Sequence, residues 1–294
     1  MGTMRYELRC ICKANRDGSF ATQQDRLSML VQAADYLEQC GFRQLTPSSL
    51  KAKHVNALVA YYKQSIANKT LSIATVKNRL SALRWLLDKV NKSHLLPKDN
   101  AWVGIGRRCY QKSVTDNKAQ SLTAVKANLV NDRAVYLGLC LQEAFGLRRE
   151  ECIKFNVAYA NQGDHVRLKA SWTKGGRARV IPIRTQAQRD LLNEVSAFAG
   201  NASLIPAHKT YIEQRRHYDY VVKRAGLNNM HGLRHGYAQE RYRELAQFEP
   251  PIAGGKTAKE YTPFERECDL MARGIIAEEL GHGRLSVTSQ YLGR

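Results

Sequence analysis

The chain has 294 residues, 46 of them lysine or arginine against 26 aspartate or glutamate, giving a formal net charge of +20 at neutral pH. That length holds one large domain or two ordinary ones, and so much positive charge without low-complexity tails points to a polyanionic partner, nucleic acid first. No apolar run approaches the roughly 20 residues that cross a bilayer, and the start MGTMRYELRC lacks an apolar signal core, which argues against secretion.

Residues 1–20 are basic and weakly patterned and read as an arm. From Gln24 to Cys40, Leu27, Leu30, Val31, Ala34 and Leu37 form a helical stripe that Gly41 ends. Thr46-Pro47 opens a second helical region with Val55, Leu58, Val59, Tyr62 and Ile66 on its buried face. Ser72 caps a third helix carrying Ile73, Val76, Leu80, Leu83 and Leu87 at helical spacing. Its polar side carries Lys77, Arg79 and Arg84. Residues 1–115 hold 19 basic and 7 acidic side chains, so that side is expected to face DNA. Between Pro97 and Gln120 the periodicity lapses, and Arg107, Arg108, Lys112 and Lys118 suit a linker running along phosphates. The domain boundary is placed there, giving domains 1–115 and 116–294.

In the second domain Ser121 caps a short helix, and a longer one spans about Asp132 to Ala144 before Gly146 stops it. Arg148 to Phe155 can restart a helix. Val166 to Thr173 and Ala178 to Ile183 read as two strands around a Gly175-Gly176 turn. Thr185 and Gln188 form a capping box for a helix with Leu191, Leu192, Val195 and Phe198. Further helices are expected over Tyr211–Ala225, over His231–Ala246 and through Leu270, Ile275 and Ile276. Residues 248–262, rich in Pro and Gly, read as an inserted surface loop. The last short helix covers Leu285 to Gln290. The seven cysteines are odd in number and only Cys10 and Cys12 lie close together, which is neither a disulfide framework nor a zinc spacing. They read as reduced thiols.

Four stretches bear chemistry, and each has an ordinary reading alone. Gly146-Leu147-Arg148-Arg149-Glu150-Glu151 places an arginine three residues before a carboxylate, as surface salt bridges often do. Thr173-Lys174-Gly175-Gly176-Arg177 sets a lysine on a turn. His231-Gly232-Leu233-Arg234-His235 puts His231 and Arg234 on one helical face. His282 precedes Tyr291 by nine residues in a chain with 14 tyrosines, so the spacing carries little by itself. A phenol ionises near pH 10, leaving about one part in a thousand as phenolate at neutral pH. A nucleophilic Tyr291 therefore needs a base and a cationic pocket.

Taken together, the ordered set Gly-Leu-Arg-x-x-Glu, Lys-Gly-Gly, His-x-Leu-Arg-His, Leu-Gly-His and a late tyrosine resembles the tyrosine recombinase (phage integrase) family. The resemblance runs from about residue 24 to the end, and the Thr75–Leu87 segment looks like the family's core-binding domain. It implies a mainly α, two-domain DNA clamp. A helical, SAM-like core-binding domain would be joined to a mostly helical catalytic domain with a small hairpin. By the same resemblance Arg148 and Arg234 would clamp the scissile phosphate, where planar guanidinium forks suit spread charge. Lys174 would protonate the leaving 5′ oxygen. His231 would take the phenol proton or bond the phosphate, and His282 would hold a non-bridging oxygen. Glu151 and His235 would support the pocket. Tyr291 would attack phosphorus to give a 3′-phosphotyrosine that a 5′ hydroxyl can reseal without ATP. Lys77, Arg79, Arg84, Arg107, Arg108 and Arg177 would contact DNA.

The resemblance implies no metal or other cofactor, and a protein of the bacterial cytoplasm and nucleoid. It also implies a homotetramer on duplex recombination sites, a monomer or dimer when free, and an accessory directionality factor as a further partner. Integration or excision of a mobile element would be the task. Relaxation of DNA as a type IB topoisomerase uses the same residues without a second duplex, and a silent DNA-binding protein on this fold is the non-enzymatic alternative. Two departures stand out. The 47 residues between Arg234 and His282 exceed the family expectation, and only three residues follow Tyr291, so that either the sequence is cut short of the family's coupling tail or another segment, such as residues 1–20, would couple protomers. Too few residues precede Leu27 for a separate arm-binding domain.

Overall fold

The computed structural model describes residues 3–107, 114–123 and 131–294. The chain divides into two compact units, Met1–Cys109 and Tyr110–Arg294. No helix among the described residues is long and apolar enough to cross a membrane.

The first unit packs helices α1 (Thr3–Ala14), α2 (Phe20–Gln39), α3 (Ala52–Ala67) and α4 (Ile73–Lys89). The expected arm is instead α1. Its Met4, Leu8, Ile11 and Cys12 make a narrow stripe, with Leu8 wholly buried on α2. Basic and polar neighbours hide so thin a stripe in the sequence, and Arg5 ties the helix to Asp35 at 2.6 Å. Serine caps set the starts of α2 and α4: Ser19 and Ser72 accept the amides of Thr22 and Thr75 at 3.2 and 3.1 Å. The Thr46-Pro47 start is a separate 3₁₀ turn, Pro47–Ser49, ahead of α3. Leu37, Leu58, Leu80, Leu83 and Leu87 meet in the core.

The basic side of α4 is partly engaged at home. Arg84 donates to the Pro97 carbonyl at 2.7 Å and to Asn100 at 2.9 Å, and Arg79 lies over the Tyr62 ring. Lys77 is half-buried and Arg107 exposed, while Arg108 and Lys112 fall outside the described residues.

The second unit comprises α5 (Arg133–Phe145), α6 (Arg149–Ile153), α7 (Val157–Ala160), α8 (Gln186–Ala199), α9 (Tyr211–Arg224), α10 (His231–Ala246), α11 (Pro263–Glu279) and α12 (Ser289–Leu292). One antiparallel hairpin joins them, β1 (His165–Leu168) and β2 (Arg179–Pro182), with Val166 opposite Ile181 and Leu168 opposite Arg179. Its first strand is shorter than expected. A 3₁₀ turn, Ala170–Trp172, follows it, and the Thr173 hydroxyl bonds the carbonyls of Ala170 and Arg177 to close a broad tip. The Thr185–Gln188 capping box opens α8 as its sequence indicates, although Phe198 at its end is half exposed.

Gly146 ends α5 in the left-handed conformation, φ 60°. A Cβ there would come within 2.6 Å of Tyr237 and 2.9 Å of Leu280, so only glycine lets α5, α10 and the end of α11 approach so closely. The stretch 248–262 is less superficial than its composition suggests. It contains a 3₁₀ turn, Pro251–Ala253, whose Ile252 is fully buried.

Candidate active site

α6 begins at the exit of the Gly146 turn, and its first residues cap one another. The Arg148 amide donates to Glu151 Oε2 at 2.7 Å, and Arg148 Nη1 donates to Glu151 Oε1 at 2.9 Å. The three-residue step from Arg148 to Glu151 is thus a helix-start contact that turns both inward. Arg149 and Glu150 face outward to Asp219 and Lys154, so of the two neighbouring arginines it is Arg148 that turns toward Glu151.

Glu151 has no exposed surface. A third guanidinium, unforeseen in the sequence, reaches it from β2: Arg179 donates through Nη1 and Nη2 at 2.9 and 2.7 Å. Burial alone would raise the Glu151 carboxyl, but the Arg179 fork and the nearby charge of Arg234 hold it at about 2. Arg179 is further fixed by donating from Nε to the Glu279 carbonyl at 2.7 Å. The one signal for it was its place on the inward side of a strand, alternating with buried Ile181.

α10 supplies the other cation. Arg234 is completely buried, and its Nη atoms donate to the carbonyls of Gly146 and Leu280. Desolvation pulls its pKa to about 10, so it keeps its charge at neutral pH. Its remaining Nε–H points at the Tyr291 hydroxyl, 3.4 Å away. On the other side of that hydroxyl stands His231 Nε2, at 3.5 Å. His235 packs on the Tyr291 ring with centroids 4.5 Å apart, and the His282 ring lies 5.4 Å away.

Both flanking imidazoles are kept neutral. One edge of His231 reaches solvent, yet desolvation and then the Arg234 and Arg148 charges lower its pKa. His282 is pulled to about 3 by desolvation and the Arg234, Arg148 and Arg179 charges, and its buried Nε2 has no hydrogen-bond partner among the described residues.

A cavity of about 300 Å³ opens beside the tyrosine, lined by Lys118, His231, His235, Gln290 and Tyr291 among others. A larger one of about 870 Å³, between α5, α8 and α10, touches none of the converging residues. We take the smaller one as the site because the phenol and imidazoles line it.

The fold therefore brings together Arg148, Glu151, His231, Arg234, His235, His282 and Tyr291. Lys174 stays apart, exposed on the hairpin tip, with no hydrogen bond or ion pair to the described residues. From the same tip the Arg177 guanidinium lies against Gly283, next to His282. Sequence reasoning also missed how closely the approach to this unit is laid on α10. Gln120 donates its amide to the Gly232 carbonyl at 3.0 Å. Cβ atoms at Gly232 and Gly236 would strike the Lys118 and Gln120 carbonyls at 2.4 and 2.7 Å.

A helical chain in two units, with buried arginines and imidazoles gathered round a late tyrosine, has the architecture of a tyrosine recombinase. Residues 1–96 match the family model described as phage integrase, N-terminal, and residues 103–240 match the one described as integrase. The chain belongs to the phage integrase family of tyrosine recombinases. No curated protein matches its sequence.

Among solved structures, the Tn1549 transposon integrase in complex with circular intermediate DNA is 12% identical, with TM-score 0.54 over 100% of this chain and 96% of that one. A lambda integrase dimer bound to a COC′ core site is 14% identical, with TM-score 0.60 over 98% and 95% of the two chains. XerH recombinase bound to its difH substrate is 16% identical, with TM-score 0.55 over 98% and 80%. At these identities the likeness is one of fold.

Proposed function

We propose that the protein is a site-specific DNA recombinase that cuts and rejoins duplex DNA through a 3′-phosphotyrosine at Tyr291. The observation that carries this reading is the Tyr291 hydroxyl set between Arg234 Nε at 3.4 Å and His231 Nε2 at 3.5 Å. Arg234 donates to one lone pair of the phenol oxygen, which leaves the phenolic hydrogen for neutral His231. As the oxygen attacks phosphorus, the proton passes to His231. The growing charge on the phosphoryl oxygens meets Arg148 and Arg234. The open Nε2 of His282 is suited to a non-bridging oxygen. These contacts lengthen in a free enzyme and tighten on substrate.

Lys174 is assigned the proton delivery to the departing 5′ oxygen, on a hairpin tip that must move inward to do so. Glu151 and His235 hold the pocket in shape. We assign the chemistry to residues 116–294 and the grip on duplex DNA to residues 1–115, with Lys77, Arg107 and Arg177 as the freest candidates for phosphate contacts. A homotetramer on paired recombination sites is the expected assembly. The fold of a lambda integrase tetramer bound to a Holliday junction, 13% identical with TM-score 0.59 over 97% of this chain, supports it. Integration or excision of a mobile element is the expected task.

The test is covalent trapping on nicked suicide duplexes carrying element-end sequences, with EDTA present. The parent protein should become attached to DNA. Tyr291→Phe should bind the duplex with unchanged salt dependence and never attach. Attachment by the phenylalanine variant, or a need for magnesium, would refute the assignment.

A further inference from the structure

α12 carries Tyr291 yet is a single turn, Ser289–Leu292. So short a helix has no stability of its own, and its last carbonyls have no partner within it. Side chains from two long helices take them. The Tyr291 carbonyl accepts from Gln239 Nε2 of α10 at 3.1 Å, and the Gly293 carbonyl accepts from Arg273 Nη1 of α11 at 3.0 Å.

Each donor is itself fixed. The Gln239 amide also donates to Asn117 Oδ1 at 2.9 Å. Arg273 Nε is shared between both oxygens of Asp269, at 2.8 and 2.9 Å, and Asp269 Oδ1 accepts the Tyr242 hydroxyl at 2.6 Å. Arg273 and Asp269 are both buried. Behind them Gly293 takes φ 74°, and a Cβ there would fall 2.8 Å from the Ile252 nitrogen. The buried turn of the 248–262 stretch is thus a back-stop for the residue that ends α12.

We propose that Arg273, held by Asp269, and Gln239 are positioning residues for Tyr291. They clamp the backbone carbonyls at and just after the tyrosine, so that its hydroxyl stays between Arg234 and His231. The inference rests on the reading of Tyr291 as the nucleophile. Neither side chain touches the phenol oxygen. A buried ion pair adds little net stability over apolar packing, so the pair's contribution is the fixed place it gives the guanidinium fork.

The experiment is single-turnover attachment to a nicked suicide duplex by the full chain, comparing parent, Arg273→Gln, Arg273→Lys and Gln239→Leu, alongside duplex affinity and hydrogen exchange. A nucleophile displaced by about an ångström loses about 100-fold in rate. Arg273→Gln should therefore attach about 10- to 100-fold more slowly, to full final amplitude and at unchanged duplex affinity, with faster exchange confined to residues 285–294. Arg273→Lys should recover part of the rate, since an ammonium can still reach one acceptor.

An unchanged rate constant would overturn the proposal. So would a fall in amplitude alone, which marks a folding defect. Should Arg273→Gln fail to fold, Gln239→Leu, which keeps the bulk and removes the donor, carries the same criteria. Attachment by Tyr291→Phe would bring down the nucleophile reading itself, whereas faster exchange in Arg273→Gln at full attachment rate would bring down the positioning role alone.

Discussion

Replacing Glu151 by glutamine removes the carboxylate on which the cationic pocket is assembled. Its pKa falls from an ordinary 4.5 to about 2 in the folded protein. Each unit is about 1.4 kcal/mol, so the ionised form contributes about 3 kcal/mol of stability at pH 7. Glu151 has no exposed surface, so solvent screening does not reduce that figure as it would for a surface pair. Glutamine can still cap the Arg148 amide, but it leaves Arg179 and Arg234 buried without their counter-charge. The loss should be about 3 kcal/mol.

Because the folded pKa is depressed, the contribution is complete above about pH 5 and is lost as pH falls toward 2. By pH 3 it should be roughly half its neutral value. Urea unfolding of parent and Glu151→Gln at pH 7, 4 and 3, read by hydrogen exchange of the α6 and β2 amides, measures the gap. Equal stability at pH 7, or a gap that stays constant down to pH 3, would refute the reasoning.

If neutral His231 receives the phenol proton, the single-turnover attachment rate should fall with pH on the acid side of the ordinary imidazole value of about 6.5. Burial and the Arg234 and Arg148 charges place the ring's pKa under 6.5, and His231→Asn should remove the acid limb; a decline centred at 6.5 or above would count against the base role. Lys174→Ala should slow cleavage of an ordinary duplex about 100- to 10,000-fold, the range of general acid catalysis. On a 5′-bridging phosphorothiolate, whose sulfur leaves without a proton, the loss should be small, and equal losses on both substrates would remove Lys174 from the acid role.

Local chemistry made much of this fold readable. Ser19, Ser72 and Thr185 cap helices through their own next turn, and Gly146 stops one because only glycine tolerates both the dihedral and the crowding. The motif order likewise named Arg234, His231, His235 and His282, which stand against Tyr291, while Lys174 of the same set stays apart. What stayed hidden depends on distant partners. Leu8 counts as core only because α2 lies against it. Arg179 matters through Glu151, 28 residues away. Ile252 is buried by the end of the chain, which composition cannot report. Arg84 looked free for phosphate because its acceptors, the Pro97 carbonyl and Asn100, lie in a stretch read as linker.

The pocket also shows why its central cation is arginine. A group as buried as Arg234 loses charge stabilisation, and its pKa drops by a few units to about 10. A lysine starts lower, at about 10.4, so a like drop on burial would bring it to about 8, where part of its charge is lost near neutral pH. The guanidinium survives burial because two carbonyls share its Nη atoms while Glu151 sits 4.0 Å off. Having survived, it adds with Arg148 to the desolvation that lowers the pKa of His231 and His282, and Arg179 contributes further at His282. On the proposed reading the proton acceptor and the phosphate clamp would not be separate provisions, since the cations assigned to the phosphate add to the desolvation that disfavours protonated His231.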